Sequence, residues 1–288
     1  GLEGRSVYSL ARSPKGVVFA GSSNRDIYVS QNEGATWSRI QLQEQIENRT
    51  WQESEKIVAI VAGAGGNNLA ATETGTILSF RKSGQKWSHK LLASVQGRVH
   101  SLILDRSGRV FVSTEKAVHC SNDSGTTWTP RNNGIQGFRI ETMTEDSAGV
   151  LFIGAPGKGV YRSTDDGETW IETNKGLKDL HVQRLAVNSR GDLLAGTFNA
   201  GIFSLKDTSA GWEHTLKWRS IYAISVYRNE VFASDNGGFL FHSTCDGNTW
   251  EEFLGENLSE TNTKSLLVEP QGHLLLGSEF FGVYRSTD

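Results

Sequence analysis

Short segments in which apolar and polar residues alternate recur along the whole chain, as in VHSLILD (99–105) and VQRLAVN (182–188). Alternation with a period of two, rich in β-branched and aromatic residues, is typical of β-strands. After each segment come a turn, a second strand, a glycine-rich link, a third strand, an acidic turn, and a short fourth strand that opens with tryptophan. The pattern predicts a repeated unit of four antiparallel strands.

Seven first strands can be counted, at 7–13, 57–63, 99–105, 140–146, 182–188, 221–227 and 263–269. The tryptophans of the acidic turns are spaced by 50, 41, 42, 42 and 38 residues, close to the length of a propeller blade. We therefore predict an all-β fold, one seven-bladed β-propeller domain over 1–288. The predicted blades are 6–54, 55–97, 98–138, 139–180, 181–219, 220–261 and 262–288.

The last predicted blade has only three strands of its own. Residues 1–5 could add its outer strand and close the ring, which would hide an aggregation-prone edge. The alternative is that the chain was cut at this point. The sequence leaves both open.

The acidic turn recurs as SQNEGATW (30–37), SNDSGTTW (121–128), STDDGETW (163–170) and STCDGNTW (243–250), with weaker copies at 80–87 and 205–212 and a truncated STD at 286–288. Its carboxylate can accept backbone N–H groups, its glycine can supply a positive φ, and its tryptophan can bury a ring. We interpret the turns as structural fasteners, because chemistry does not need seven similar turns around a ring. The predicted structural residues are Asn32, Trp37, Asp123, Gly125, Trp128, Asp165, Gly167, Trp170, Asp207, Trp212, Asp246, Gly247 and Trp250.

The sequence of the acidic turn varies from blade to blade. Cys245 stands in blade 6 where blade 4 has Asp165, Lys82 stands there in blade 2, and blade 5 lacks the serine and glycine. Each loss leaves backbone donors without their partner. We expect looser turns in blades 2 and 5.

The pattern S-x-D-x-G-x-x-W resembles the Asp box, or BNR repeat, of sialidases, xyloglucan-cleaving hydrolases built from paired propellers, sortilin-type receptors and photosystem II assembly-factor-like proteins. The segments at 132–170 and 176–207 are most similar to the last group. The resemblance covers nearly the whole chain and implies a propeller that binds its ligand on the rim opposite the boxes. It also implies an extracellular or periplasmic location. It does not fix a function, because one fold hosts many activities.

Composition narrows the classes of protein to which the chain can belong. With 37% hydrophobic residues, 21% charged residues and a net charge of −3, the chain has the composition of a globular domain and nothing that marks a nucleic-acid partner. No apolar run reaches a membrane span, and the first residues lack the features of a signal peptide. Cys120 and Cys245 are expected to be free thiols. Zinc spacing, phosphate-binding loops and serine nucleophile elbows are missing, so we predict neither metal nor cofactor.

Candidate binding residues come from one repeated position, the residue before each first strand. Four consecutive blades place Lys56, Arg98, Arg139 and His181 there. Facing inward, these side chains would form a positive arc that suits carboxylates, sulfates or phosphates. The alternative is that they are solvated or pair with Glu55, Glu73 and Glu115. The insertion at 41–54 adds Arg49 and Trp51 as candidates for the same rim. The alternative for Trp51, and the commoner case for such a residue, is an indole folded under its own loop.

Three functional hypotheses follow. The first is a non-catalytic recognition or scaffold module that binds a protein partner or an acidic glycan on the arc. The second is a glycoside hydrolase or lyase with two carboxylates on the rim. A sialidase is disfavoured because Arg139 and Ile140 are followed by Glu141 where those enzymes have proline. The third is a structural member of an assembly, in which a neighbouring chain completes blade 7; otherwise we expect a monomer.

Overall fold

The computed structural model describes residues 2, 4–41, 55–235, 237–253 and 262–286, in which 27 strands form seven antiparallel sheets. Blade 1 comprises β1 (Val7–Arg12), β2 (Val18–Ser22), β3 (Ile27–Ser30) and β4 (Ser38–Ile40), with a 3-10 turn at Ser23–Arg25. Blade 2 comprises β5 (Ile57–Ala62), β6 (Asn68–Thr72), β7 (Thr76–Ser83) and β8 (Lys86–Ser94). Blade 3 comprises β9 (Val99–Leu104), β10 (Val110–Thr114), β11 (Val118–Ser121) and β12 (Thr129–Pro130).

The remaining four blades repeat this order. Blade 4 comprises β13 (Thr142–Glu145), β14 (Leu151–Ala155), β15 (Gly159–Ser163) and β16 (Ile171–Glu172). Blade 5 comprises β17 (Val182–Val187), β18 (Leu193–Thr197), β19 (Gly201–Leu205) and β20 (Glu213–Lys217). Blade 6 comprises β21 (Ile221–Tyr227), β22 (Glu230–Asp235), β23 (Leu240–Ser243) and β24 (Glu251–Phe253). Blade 7 comprises β25 (Thr263–Val268), β26 (Leu274–Ser278) and β27 (Gly282–Arg285).

The first strand of every blade lies innermost. Consecutive first strands contact one another, and β1 also contacts β25, which closes the ring. The predicted all-β fold, seven blades and three-stranded last blade are confirmed. No helix in the described ranges has the length and apolar character needed to cross a bilayer.

Neighbouring blades approach closely at one equivalent position of each second strand, the fourth residue of the strand or, in β22, the fifth. The chain carries only glycine, alanine or serine there. A Cβ added to Gly154 would lie 2.7 Å from Thr142 Cγ2 and 2.7 Å from Val182 Cγ1. The same position in blade 7 is Gly277, where a Cβ would lie 2.9 Å from Val7 Cγ1 of blade 1. Ring closure therefore uses the same contact as every other junction with a glycine.

The acidic turns hold themselves closed. In blade 4, Asp165 Oδ1 accepts hydrogen bonds from the Thr169 N–H at 2.9 Å and from Ser163 Oγ at 2.7 Å. Gly167 has a φ of 81°. The hydrogen bonds from the Thr169 hydroxyl, the Thr169 N–H and Ser163 lower the pKa of Asp165 to about 2. In blade 3, Asp123 is held in the same way, and its pKa is also lowered to about 2.

The tryptophan that ends each turn reaches the preceding blade. Trp170 Nε1 donates to Arg131 O at 2.9 Å, and Trp212 Nε1 donates to Thr173 O at 2.7 Å. Trp37, Trp128 and Trp250 are half-buried and pack against apolar clusters of the core. The turns thus fasten blade to blade as well as strand to strand.

Asp246 has a different role from Asp123 and Asp165. In blade 6 the self-closing position belongs to Cys245, whose Sγ lies 3.3 Å from the Thr249 N. Asp246 has a φ of 60° and turns toward blade 5 instead. Its buried carboxylate accepts a hydrogen bond from Ser189 Oγ at 2.6 Å and pairs with Arg190 Nε at 2.8 Å. Asp166 of blade 4 makes the matching contact with Arg109 of blade 3.

The two weakest turns differ from each other. Blade 5 keeps a fastened turn, in which Asp207 accepts hydrogen bonds from the N–H and hydroxyl of Ser209 at 2.8 and 2.6 Å. Blade 2 replaces the acidic turn by a hairpin whose register pairs Ser83 with Lys86. That both turns are looser than the others stays a prediction.

Among the described residues β27 is the outermost strand of blade 7, and Leu2, Gly4 and Arg5 form no strand beside it. The Arg5 N–H donates to Leu2 O at 3.2 Å, and Gly4 has a φ of 69°. This turn bends the segment away from an extended path. Leu2 is buried against Val7 and Ala20.

We expect Gly154→Ala to lower the free energy of unfolding by about 1–3 kcal/mol, because the added methyl group meets two stiff β-branched side chains. Gly65→Ala is the matched control, since nothing lies within 4 Å of its added Cβ. It should change stability by less than about 0.5 kcal/mol. Chemical denaturation measures both values, and equal effects would contradict the packing argument.

We expect Cys245→Asp to stabilise the protein by about 0.5–2 kcal/mol at pH 7, because a carboxylate accepts the Thr249 N–H better than a thiol does. Asp165 indicates the pH dependence, since its pKa falls from 3.8 to about 2 on folding. Such a group adds stability above its unfolded pKa and loses it as pH falls through the folded value. Thermal unfolding should therefore show the gain at pH 7 and not near pH 2, whereas Cys245→Ala should show no gain.

Candidate functional site

The central channel is lined by the second residue of six first strands and, in blade 4, by Glu141, which directly precedes β13. Six of the seven first strands carry a β-bulge there, as between Val182 and Arg184 in β17. A bulge leaves one residue outside the ladder and re-aims its side chain. At one mouth of the channel these residues line a cavity of about 290 Å³. They are Tyr8, Val58, His100, Glu141, Gln183, Tyr222 and Lys264.

Three of the four predicted arc residues line the same cavity: Lys56, Arg98 and Arg139. The channel mouth lies on the rim of the turns between second and third strands, as the Glu73 N–H donates to Lys56 O at 2.9 Å. Arg184 and Lys264 add two more cations. Five cationic side chains thus face three carboxylates, those of Glu73, Glu141 and Glu279.

Glu141 is the central anion of this mouth. Arg139 Nη2 lies 2.6 Å from its Oε2, His100 Nδ1 lies 3.5 Å from the same atom, and Arg184 Nη1 lies 3.7 Å from Oε1. Burial raises the pKa of Glu141, but the positive charges of Arg184 and Arg139 outweigh this effect, and the net pKa is lowered. Glu141 is therefore ionised at neutral pH and holds three neighbours in place.

Burial has the opposite effect on the cations of the channel. It lowers the pKa of Arg184, against the attraction of Glu141. It also lowers the pKa of His100, with Glu141 opposing and Arg139 adding to the shift. His100 is thus uncharged at neutral pH. The mouth carries an excess of two positive charges from its five cations and three carboxylates.

The other arc cations differ in how strongly they are paired. Arg98 forms an ion pair with Glu73, and Lys264 Nζ lies 3.0 Å from Glu279 Oε2. Lys56 Nζ lies 4.8 Å from the centre of the Tyr8 ring. Within the described residues Lys56 has no carboxylate at ion-pair distance. Arg98 and Lys56 thus line the cavity, and Arg98 is paired with Glu73 there. Ligand binding by the arc stays a prediction.

His181, the fourth arc residue, does not line the cavity. Its Nδ1 lies 3.3 Å from Asp179 Oδ1, and its side chain is 58% exposed. The backbone N–H of His181 also donates to Asp179, which holds the residue at the rim. Arg184 takes its place in the channel. Arg49 and Trp51 lie outside the described residues.

Alternation alone could not reveal the channel-lining residues, because a continuous strand would place His100 and Leu102 on one face. The bulge breaks that rule at the second residue of the strand. A usable signal does exist in the sequence, since each of these residues follows a buried aliphatic or threonine that begins the strand, such as Val99 or Val182. Reading the column after that residue gives the channel lining.

Large exposed apolar side chains lie on the same rim in blades 5 to 7. Phe198 is 40% exposed and Trp218 is 80% exposed, while Phe280 and Phe281 are 58% and 48% exposed. The Phe198 ring lies 6.4 Å from the ring of Tyr222, which lines the cavity. Phe280 and Phe281 directly follow Glu279. We call these four residues the apolar flank of the mouth.

No cluster of three or more His, Cys, Asp or Glu side chains in the described ranges is arranged to hold a metal ion. Cys120 and Cys245 are both free thiols.

Comparisons with solved structures identify the architecture. YCF48 bound to D1 peptide superposes with a TM-score of 0.75 at 16% identity, over 99% of this chain and 95% of that chain. This chain therefore shares the seven-bladed propeller fold of YCF48. The GH74 enzyme of Niastella koreensis gives a TM-score of 0.77 at 17% identity, over 100% of this chain and 53% of that chain.

The extracellular domain of BT4673 from B. thetaiotaomicron gives a TM-score of 0.76 at 15% identity, over 98% of this chain and 38% of that chain. The chain thus spans about half of the GH74 enzyme and less than half of BT4673. No protein-family model matches the sequence, and no curated protein matches it. Identities this low establish the fold and no activity.

We expect substitutions at the mouth to shift the pKa of His100 in opposite directions. Glu141→Gln removes the charge that raises it, so the pKa should fall further. Arg139→Ala removes a charge that lowers it, so the pKa should rise. Titration of the imidazole resonances by NMR measures both shifts, with His119 as the internal reference. An unchanged pKa of His100 in both variants would contradict the described geometry.

Proposed function

We propose that the protein is a recognition module that binds an acidic polypeptide segment at the channel mouth. The observation that carries the proposal is the convergence of five cations beside the apolar flank. A carboxylate can form charge-assisted hydrogen bonds with Arg98 and Arg139. Apolar side chains of the same segment can pack on Phe280 and Phe281.

A polypeptide matches this arrangement better than a sugar does. The positive arc lies on blades 2 to 5 and the apolar flank on blades 5 to 7, so one extended ligand can contact both. Peptides combine acidic and apolar side chains along one chain, whereas acidic glycans offer mainly hydroxyls beside their charge. The YCF48 structure with D1 peptide supports a peptide ligand for this fold.

The glycoside hydrolase remains the second hypothesis, but the electrostatics of the mouth disfavour it. A general acid needs a raised pKa, and that of Glu141 is lowered. Glu73 and Glu279 are paired with Arg98 and Lys264. This chain covers only 53% of the GH74 enzyme, so about half of that enzyme has no counterpart here. An acidic glycan stays an alternative ligand of the same cations.

An extracellular or periplasmic location fits the proposed module, and the BT4673 propeller is an extracellular domain. A monomer is proposed as the binding unit, because all seven blades of the chain contribute residues to the cavity.

We expect the double variant Arg98→Ala and Arg139→Ala to weaken peptide binding at least roughly tenfold. Both side chains are more than half exposed, so the melting temperature should hardly change. The probe is a library of random ten-residue peptides with a free carboxyl terminus, and the same library amidated. Binding is measured by fluorescence anisotropy on selected sequences.

The matched control is Lys86→Ala with Arg106→Ala, which removes the same charge elsewhere and should leave binding intact. Undiminished binding by the double arginine variant would refute the site. Selection of no peptide, together with cleavage of a polysaccharide that depends on Glu141, would favour the hydrolase.

A further inference from the structure

Blade 2 is built differently from its neighbours on the rim that carries the acidic turns. Its β7 and β8 are joined by a two-residue turn, Gly84 and Gln85, and pair as far as Ser83 and Lys86. Gly84 has a φ of 59°, and nothing lies within 4 Å of an added Cβ. The hairpin therefore stands clear of the surrounding structure.

In other blades the acidic turn covers the preceding blade. A Cβ on Gly167 would lie 3.3 Å from Phe111 of blade 3, and one on Gly247 would lie 3.1 Å from Leu194 of blade 5. Phe19 occupies the matching position in blade 1, as the second residue of β2. Blade 2 has no acidic turn that could cover Phe19. A crevice of about 550 Å³ therefore opens beside Phe19, between blades 1 and 2.

Aromatic rings form the apolar wall of this crevice. Trp87 is half-buried and lines it together with Phe19. Their ring centres are 5.7 Å apart with the planes at 85°, and Phe80 lies 6.0 Å from Trp87. The indole is thus fixed by two neighbours and is not free to leave the site.

The charged side chains that line the crevice are all cationic. Lys15, Arg81 and Lys82 line it, and no aspartate or glutamate does. The potential of the crevice is therefore positive, although the net charge of the chain is −3. This arrangement favours an anionic ligand.

Asn68 adds a second, independent observation. Its side chain is buried, with 3% of the residue exposed, and it lines the crevice. Its Nδ2 donates to Gly66 O at 3.2 Å and to Phe80 O at 3.1 Å, which fixes the amide orientation. Its Oδ1 has no hydrogen-bond partner among the described residues. A buried acceptor without a donor has a free-energy cost, and a ligand hydroxyl would remove it by displacing the part of the crevice wall that covers Oδ1.

We propose that this crevice binds an acidic carbohydrate, specifically a hexuronate unit of an oligosaccharide. The carboxylate pairs with Lys15 and Lys82, the sugar ring lies against the Trp87 indole, and a hydroxyl donates to Asn68 Oδ1. The site is on the rim opposite the channel mouth. It is therefore independent of the function proposed above.

A second crevice of about 670 Å³ lies on the other face of blade 2, between blades 2 and 3. It shares Arg81 with the first, but neither Trp87 nor Asn68 lines it. Lys15 and Lys82 belong to the first crevice only, and Lys90 to the second only. These lysines separate the two sites experimentally.

The test is isothermal titration of the full chain with trigalacturonate. We expect saturable binding that weakens with added salt, and at least roughly tenfold weaker binding by the variant Lys15→Glu with Lys82→Glu. The methyl ester of the same trisaccharide keeps the hydroxyls but loses the charge, and it should not bind measurably. Lys90→Glu with Lys116→Glu carries the same change in charge and should bind as the unchanged protein does.

Four results would overturn the proposal: no binding of trigalacturonate, equal binding of the ester, unchanged binding by the Lys15 and Lys82 variant, or loss of binding in the Arg98 and Arg139 variant alone. The last result would place the sugar at the channel mouth. Should the double lysine variant fail to fold, Trp87→Leu replaces it with the same expectation. Peptide binding at the mouth should be unaffected by any crevice variant, so the two proposals fail separately.

Discussion

The close approach of neighbouring blades is the constraint on which the rest of the structure depends. Seven twisted sheets can meet around one axis only if their inner parts carry little side-chain volume. The equivalent position of every second strand meets this need, with glycine in four blades and alanine or serine in the other three. A Cβ on Gly196 would lie 2.6 Å from Ile221 Cγ2 of the next blade. The channel and its two rims exist because these contacts fix how far each sheet stands from the axis.

The turns at the periphery add directional contacts to this packing. Each fully formed acidic turn closes on itself through its aspartate or asparagine and reaches the preceding blade through its tryptophan and the residue after the aspartate. At the junction of blades 7 and 1, Arg285 Nε donates to Glu33 O at 2.8 Å, and Arg12 pairs with the buried Glu269 at 3.0 Å. Chain ends far apart in sequence are thus joined by the same kind of contact as consecutive blades. Blade 2 is the exception, and the crevices lie on its two faces.

Much of the fold could be predicted from the sequence, because alternation and the spacing of tryptophan are local patterns. The first strand predicted at 182–188 is observed at Val182–Val187. The roles of Asp246 and Arg184 could not be predicted in this way. Asp246 contacts Ser189, 57 residues away, and a repeat alignment compares columns without showing which columns meet. Arg184 reaches the channel beside a bulge, which interrupts the alternation from which strand faces are inferred.

The bulges have a consequence for how such propellers diversify. A residue at the bulge stands outside the ladder of hydrogen bonds, so exchanging its side chain leaves the pairing of the sheet unchanged. The six bulged positions, with Glu141 at the seventh, surround one opening, and here they carry two tyrosines, a valine, a histidine, a glutamate, a glutamine and a lysine. The side chains that line the opening can therefore change one blade at a time, while the strand pairing of each sheet stays the same. Propellers of the same fold at about one-sixth sequence identity can accordingly share the frame and differ in the side chains around the opening.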